Sequence, residues 1–386
     1  MNKYKIIWYA LLLVIIAGSL AAITYIRASG TNYQIGTEGA IDSILNTTGS
    51  KLWVSFGKDN YISEINTQTM TEIRRITVPA PTFMVLSPDE TYLYVIVCGN
   101  NHKIRRINLS NESVDQIELE GLAFNLTINQ AGTKIWVVSS TWPAPYEPVG
   151  PMDAKHQTGT GRITEIDLDN FSISNVIQTY YPIPISVWYS PYSDKLFVIH
   201  QDEDMIPNGP TEADWIFGDL LVSYNLQTYQ ATEITRVGKI DFMKFPAAQM
   251  TSWDDQMRFL AVPDPAQGLP KRSLLVFDTL DNSLVHELSF PTPHSDNILG
   301  QIPIGIRFCH KVPGQPYLWA ITYNGLHDED CTGLTVIKIN TDTLDLEYYC
   351  LTETTRQVGD FAVSQDGNTL YIPIIMTGEV IVWSPD

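Results

Sequence analysis

Positive charge is scarce in this 386-residue chain: 24 Lys and Arg stand against 43 Asp and Glu, a formal net charge of -19. DNA or RNA would be repelled at long range, so nucleic acid is excluded as a partner, and cations or cationic surfaces are favoured. Cysteine is scarce too, four in all, and none lies in a CxxCH, so there is no motif for covalent haem. The sequence also lacks GxSxG, HExxH and a Walker loop, and Gly159-Thr160-Gly161 opens a GxGxxG that Thr164 leaves incomplete. Chemistry, if present, must be assembled from residues far apart in the chain, and no cofactor is expected.

One long apolar run is present. Residues 6 to 26, IIWYALLLVIIAGSLAAITYI, hold 21 positions without a charge, and about 20 apolar residues cross a bilayer as a helix. Lys3 and Lys5 ahead of the run favour a cytoplasmic N-terminus. Ser19-Leu20-Ala21 offers small residues for signal cleavage, the competing expectation. Residues 1–30 are therefore expected to be one N-terminal hydrophobic helix, a transmembrane anchor or a signal peptide. In either case residues 31–386 are extracytoplasmic, at the cell surface or in the periplasm, membrane-anchored or secreted, where disulfides can form.

The remainder repeats one unit. LSPDETYLYVIV (86 to 97) is its clearest copy, followed by an alternating strand that closes on Asn or Asp, as in KIRRIN. Leu52, Leu93, Ile135, Leu196, Phe259, Leu318 and Leu370 occupy equivalent places, which makes seven units. Period-two alternation with frequent turn residues argues for strands, and about 40 residues with four strands per unit is the signature of propeller blades. The last unit lacks one strand, and residues 32–37 (NYQIGT) are placed to supply it and close the ring. The expected fold class is all-β, a seven-bladed β-propeller over residues 31–386.

SPDETYLYV with its downstream strand and Asn or Asp turn resembles the YVTN-type β-propeller repeat, related in style to amine dehydrogenase heavy chains. The resemblance spans roughly residues 32 to 386 and implies architecture, because propellers host binding proteins, hydrolases and redox subunits alike.

Four insertions fall between second and third strands, at 141 to 161, 200 to 219, 263 to 272 and 323 to 333, and would crowd one face. They supply the binding-face candidates Trp142, Tyr146, His156, His200, Trp215 and His327. Asp202, Asp204, Asp328 and Asp330 offer oxygen ligands that would suit Ca2+, without the ordered spacing of an EF-hand. Cys331 and Cys350 flank a hairpin and are expected to form a disulfide, whereas Cys98 and Cys309 are not expected to pair. Of five Asn-X-Ser/Thr sequons, Asn46, Asn108, Asn111 and Asn170 map to turns on the plain face and Asn125 to an inner strand. Trp53, Trp136 and Trp319 recur at one repeat position and are expected in the core.

Three functions remain open. One is a protein-binding or scaffold module acting through the elaborated face. A second is the non-haem propeller subunit of an extracytoplasmic redox complex, similar to amine dehydrogenase or hydrazine synthase, partnered by a cytochrome or other redox subunit. The third is a lactonase-like, metal-dependent hydrolase.

Overall fold

The computed structural model describes residues 26–28, 30–98, 102–141, 161–179, 183–201, 206–207, 215–216, 219–237, 249–263, 274–289, 306–322, 334–351 and 358–385. Every described element is a strand, and seven sheets follow one another along the chain as blades. Blade one is Ala40–Leu45, Lys51–Phe56, Tyr61–Asn66 and Thr71–Thr77, each strand antiparallel to the next. Blades two to six repeat this order, with inner strands at Pro81–Leu86, Leu122–Ile128, Ile183–Ser190, Thr251–Ser252 and Ile306–Lys311.

Blade seven takes Ala362–Val363, Leu370–Pro373 and Glu379–Trp383 from the end of the chain and Thr31–Gln34 from its beginning. Thr31 lies opposite Val382 and Gln34 opposite Glu379. The closing strand forms as expected but ends three residues early. Ile35 and Gly36 both donate their N–H to the Gly378 carbonyl, turning the chain toward blade one. Ile26–Ala28 adds a fifth, parallel strand to blade six beside Leu346–Leu351, so these residues belong to the propeller and not to the apolar segment. The expected N-terminal helix lies outside the described residues, among which no helix is long and apolar enough to cross a membrane.

Alternation here means burial on both faces, because each blade packs against two neighbours. Leu52, Val54 and Phe56 face blade seven's Tyr371 and Val380, while Trp53 between them faces blade two's Leu93 and Val95. Seven such clusters, one per seam, form the core. Trp53, Trp136 and Trp319 are buried in them; Trp136 stacks on Tyr189 of the next blade at 4.8 Å, and Trp319 meets Trp383 edge-on at 5.5 Å. Only outer strands show polar exposure on one side, as in Thr71–Thr77.

The Asn or Asp that closes each third strand has a structural purpose. Asn66, Asn108, Asp167, Asn225 and Asn340 each accept, through Oδ1, the N–H groups two and three residues ahead, which shapes the turn into the outer strand. Third strands also bury acids. Glu64, 1% exposed, lies between Lys51 Nζ at 2.7 Å and Arg74 Nε at 2.6 Å, and Arg74 Nη2 reaches on to the Leu109 carbonyl of blade two. Truncating one member of a buried ion network strands the remaining charge at about 3–5 kcal/mol. Lys51 and Arg74 are partly hydrated, so Glu64→Ala is expected near the low end, about 3 kcal/mol in urea unfolding. A loss below about 0.5 kcal/mol would show the network to be a surface pair in effect.

Of the cysteines, Cys98 and Cys309 are free, as expected. Cys350 is buried, sits opposite Thr335 in the hairpin and is not free. Cys331 lies outside the described residues.

Candidate functional site

The two ends of the ring differ sharply. Connections from first to second and from third to fourth strands are tight, such as 46–50, 109–113, 191–194 and 341–345. At the other end, 141–160, 202–218, 264–273 and 323–333 join second strands to third strands. Three inter-blade connections on that same end are also long, 238–250, 289–305 and 352–361, and these were not anticipated. The strand ends that anchor all seven segments belong to blades three to seven.

The sequence-predicted residues fare unequally. Trp142, Tyr146, His156, His327, Asp202, Asp204, Asp328 and Asp330 lie outside the described residues. Trp215 is in a short ribbon, Trp215–Ile216 paired with Ile206–Pro207, inside the second insertion. His200 must be corrected as a contact residue. It ends a core strand, is fully buried, and its Nε2 lies 2.9 Å from the Tyr224 hydroxyl. Burial lowers its pKa to about 3, so the ring is neutral and offers no surface to a partner. Asn125 is likewise buried, which removes its sequon from use in the folded chain.

The structure brings together a set that motif reasoning missed. Inner strands run from the elaborated end toward the tight-turn end, and five of them bulge near their start, between Ala40/Asp42, Pro81/Met84, Ala123/Asn125, Pro184/Ser186 and Ile306/Phe308. Bulges re-aim side chains and free backbone groups from the ladder. Near these strand starts, at the elaborated end, a belt of buried polar side chains bonds from blade to blade. Asp42 Oδ2 accepts the Met84 N–H freed by blade two's bulge, at 2.7 Å. Asp360 of blade seven donates its own N–H to the Ile41 carbonyl at 2.9 Å, and its Oδ1 lies 2.8 Å from His310 Nε2 of blade six. Ser43 Oγ donates to the Asp360 carbonyl at 3.0 Å. Beside His310, the Cys309 thiol points to the Gln249 carbonyl, and the Asn125 amide donates to Gln249 Oε1 at 3.0 Å, linking blade three to blade five.

Electrostatics sharpen this belt. Asp42 is held well above the usual carboxylate range, first by burial and then by the negative charge of Asp360. The Cys309 thiol is pushed up by the same two causes in the same order. Two buried acids, Asp42 and Asp360, the His310 ring and two amides thus meet between the blades. No group of three or more His, Cys, Asp or Glu that could hold a metal ion occurs among the described residues.

Fold and belt together define a seven-bladed β-propeller with buried polar contacts between blades at its elaborated end. No known family's sequence model matches the chain, and no curated protein matches it, so the YVTN-type label rests on the resemblance of the repeats alone. Among solved structures, "Kuenenia stuttgartiensis Hydrazine Synthase" is similar with a TM-score of 0.62 and 13% identity, covering 94% of this chain and 99% of that one. At that identity the likeness shows the fold, and 1546 solved chains match, so the fold by itself selects no activity.

Proposed function

We propose that this chain is an extracytoplasmic propeller that binds a protein partner through its elaborated face. The observation that carries this reading is the crowding of all seven long connections at one end, against tight turns at the other. Loops on a rigid scaffold are where binding surfaces are built, and aromatic side chains dominate their energetics. Trp142 and Trp215, in two different insertions, are the side chains best suited to anchor such a contact. Trp142→Ala or Trp215→Ala is expected to lower affinity for a partner captured from the native host by at least about tenfold, roughly 1.4 kcal/mol, with unfolding unchanged. Undiminished binding by both variants would move the contact off this face.

A second reading makes the chain the non-haem subunit of a redox complex. Its support is the fold likeness to hydrazine synthase, and a propeller of this kind would lend its loops to a redox centre carried by another chain. The same capture experiment separates the two, since a redox partner would bring visible haem or quinone absorbance with it.

A further inference from the structure

The tight-turn end repeats one exposed position around the ring. In each of blades one to six the third strand closes on Asn or Asp, and the residue four places further on has a positive φ: Met70, Glu112, Phe171, Tyr229, Asn282 and Leu344, at 45° to 65°. The residue just before it is exposed in all six. In blades one, four, five and six it is Thr69, Thr228, Asp281 or Thr343, whereas in blades two and three it is Asn111 or Asn170, with a serine two places later. Asn111-Glu112-Ser113 and Asn170-Phe171-Ser172 are thus two N-glycosylation acceptor sequences at one structural position on adjacent blades.

Both turns leave the acceptor atom available. Asn111 and Asn170 each donate the backbone N–H to the cap's Oδ1 at 3.3 Å, and their own Oδ1 atoms accept from the serine, the Ser113 N–H in one turn and the Ser172 hydroxyl in the other. Neither Nδ2, the atom that would be modified, makes a hydrogen bond among the described residues. The residue between asparagine and serine pins each turn: Glu112 pairs with Arg74 of blade one at 3.1 Å, and Phe171 packs on Tyr94 and under the Arg106 guanidinium of blade two.

The other three sequons are committed to the fold. Asn46 is 8% exposed, donates Nδ2 to the Thr48 and Ser50 hydroxyls and accepts the Lys51 N–H. Asn125 is 1% exposed and donates to Gln249. Asn108 is itself a half-buried cap, its Oδ1 held by the Ser110 N–H and hydroxyl and by the Asn111 N–H.

We propose that Asn111 and Asn170 carry N-linked glycans, at one corner of the tight-turn end and clear of the elaborated face. In the transfer, Nδ2 bonds to the anomeric carbon of a sugar held as a lipid-linked pyrophosphate. The bond from that carbon to the phosphate oxygen breaks, the lipid pyrophosphate leaves with the electron pair, and one amide proton passes to the transferase. This rests on the extracytoplasmic reading above, because N-glycan acceptors are surface loops of exported chains.

Glycopeptide mass spectrometry of the full chain purified from its native host, with exported and cytosolic fractions kept apart, tests it. Sugar is expected on the peptides that hold Asn111 and Asn170 and on none that holds Asn46, Asn108 or Asn125 alone. Asn111→Gln and Asn170→Gln should each remove the mass of one glycan, and Ser113→Ala and Ser172→Ala should do the same with the asparagine still in place. An exported chain bare at either position, or sugar on Asn46, Asn108 or Asn125, overturns the assignment and leaves export standing. A chain confined to the cytosol overturns the extracytoplasmic reading and the assignment with it.

Discussion

Gly359→Ala is expected to be strongly destabilising. A Cβ at this position would stand 2.2 Å from the Ile41 carbonyl oxygen, 2.7 Å from its carbon and 2.8 Å from the Ala40 oxygen. All three are backbone atoms, so no rotamer change relieves the clash. The Gly359 N–H is tied to the Pro373 carbonyl and the next N–H, that of Asp360, to Ile41 itself, both at 2.9 Å. Blade seven must therefore move off blade one, at the seam where the two ends of the propeller meet. Overpacking usually costs about 1–3 kcal/mol, and a backbone-on-backbone clash belongs at or above the top of that range. In urea the midpoint should fall by an amount worth about 3 kcal/mol or more, with the denaturant slope unchanged. Gly49 is the control. It has a positive φ of 69° but its nearest neighbour is 4.0 Å away, so Gly49→Ala should cost only the backbone term of about 1 kcal/mol. Equal losses at the two sites would mean that the closing seam yields freely.

How much of this was legible beforehand depends on the range of the interaction that fixes each feature. Turns are local: an Asn or Asp closing a third strand caps the next turn with its own side chain, so the repeat and its count of seven could be read directly. Ring closure was also legible, because blade seven lacked one strand and residues 31–34 precede the first unit. The inter-blade connection at 238–250 was hidden because blade five's inner strand shrinks to Thr251–Ser252, leaving no alternating run to mark where the blade begins. His200 looked exposed because it borders an acidic insertion, yet it terminates a strand whose side chain the Tyr224 hydroxyl claims. The polar belt carried a faint periodic mark. The position ten residues before each aligned Leu52, Leu93, Ile135, Leu196, Phe259, Leu318 and Leu370 is Asp42, Phe83, Asn125, Ser186, Gln249, Phe308 and Asp360. Five of these are polar, and three of them, Asp42, Asn125 and Ser186, sit at bulges, which no composition reveals.

Asp42→Asn is expected to raise stability, and the gain should depend on pH. In the folded chain Asp42 is held well above its ordinary value of 3.8, by burial first and by the Asp360 charge second. An unfolded chain releases that proton near the ordinary value, while the folded chain keeps it to higher pH. Stability must then fall as pH rises from about 4 until the folded group also ionises, because over that window the unfolded state binds fewer protons. Asparagine has the same shape, can accept the Met84 N–H through Oδ1 and never ionises. The variant should therefore match the parent near pH 3 and exceed it in stability at pH 7 to 8. Urea midpoints measured from pH 3 to 8 would show the parent's downward slope flattened in the variant. Such a gain would mean that the belt retains an acid at a cost to the fold, as functional sites commonly do. A variant less stable than its parent at every pH would instead show that the carboxylate holds blade two's bulge in place, and the belt would then be a seam between blades and not a site.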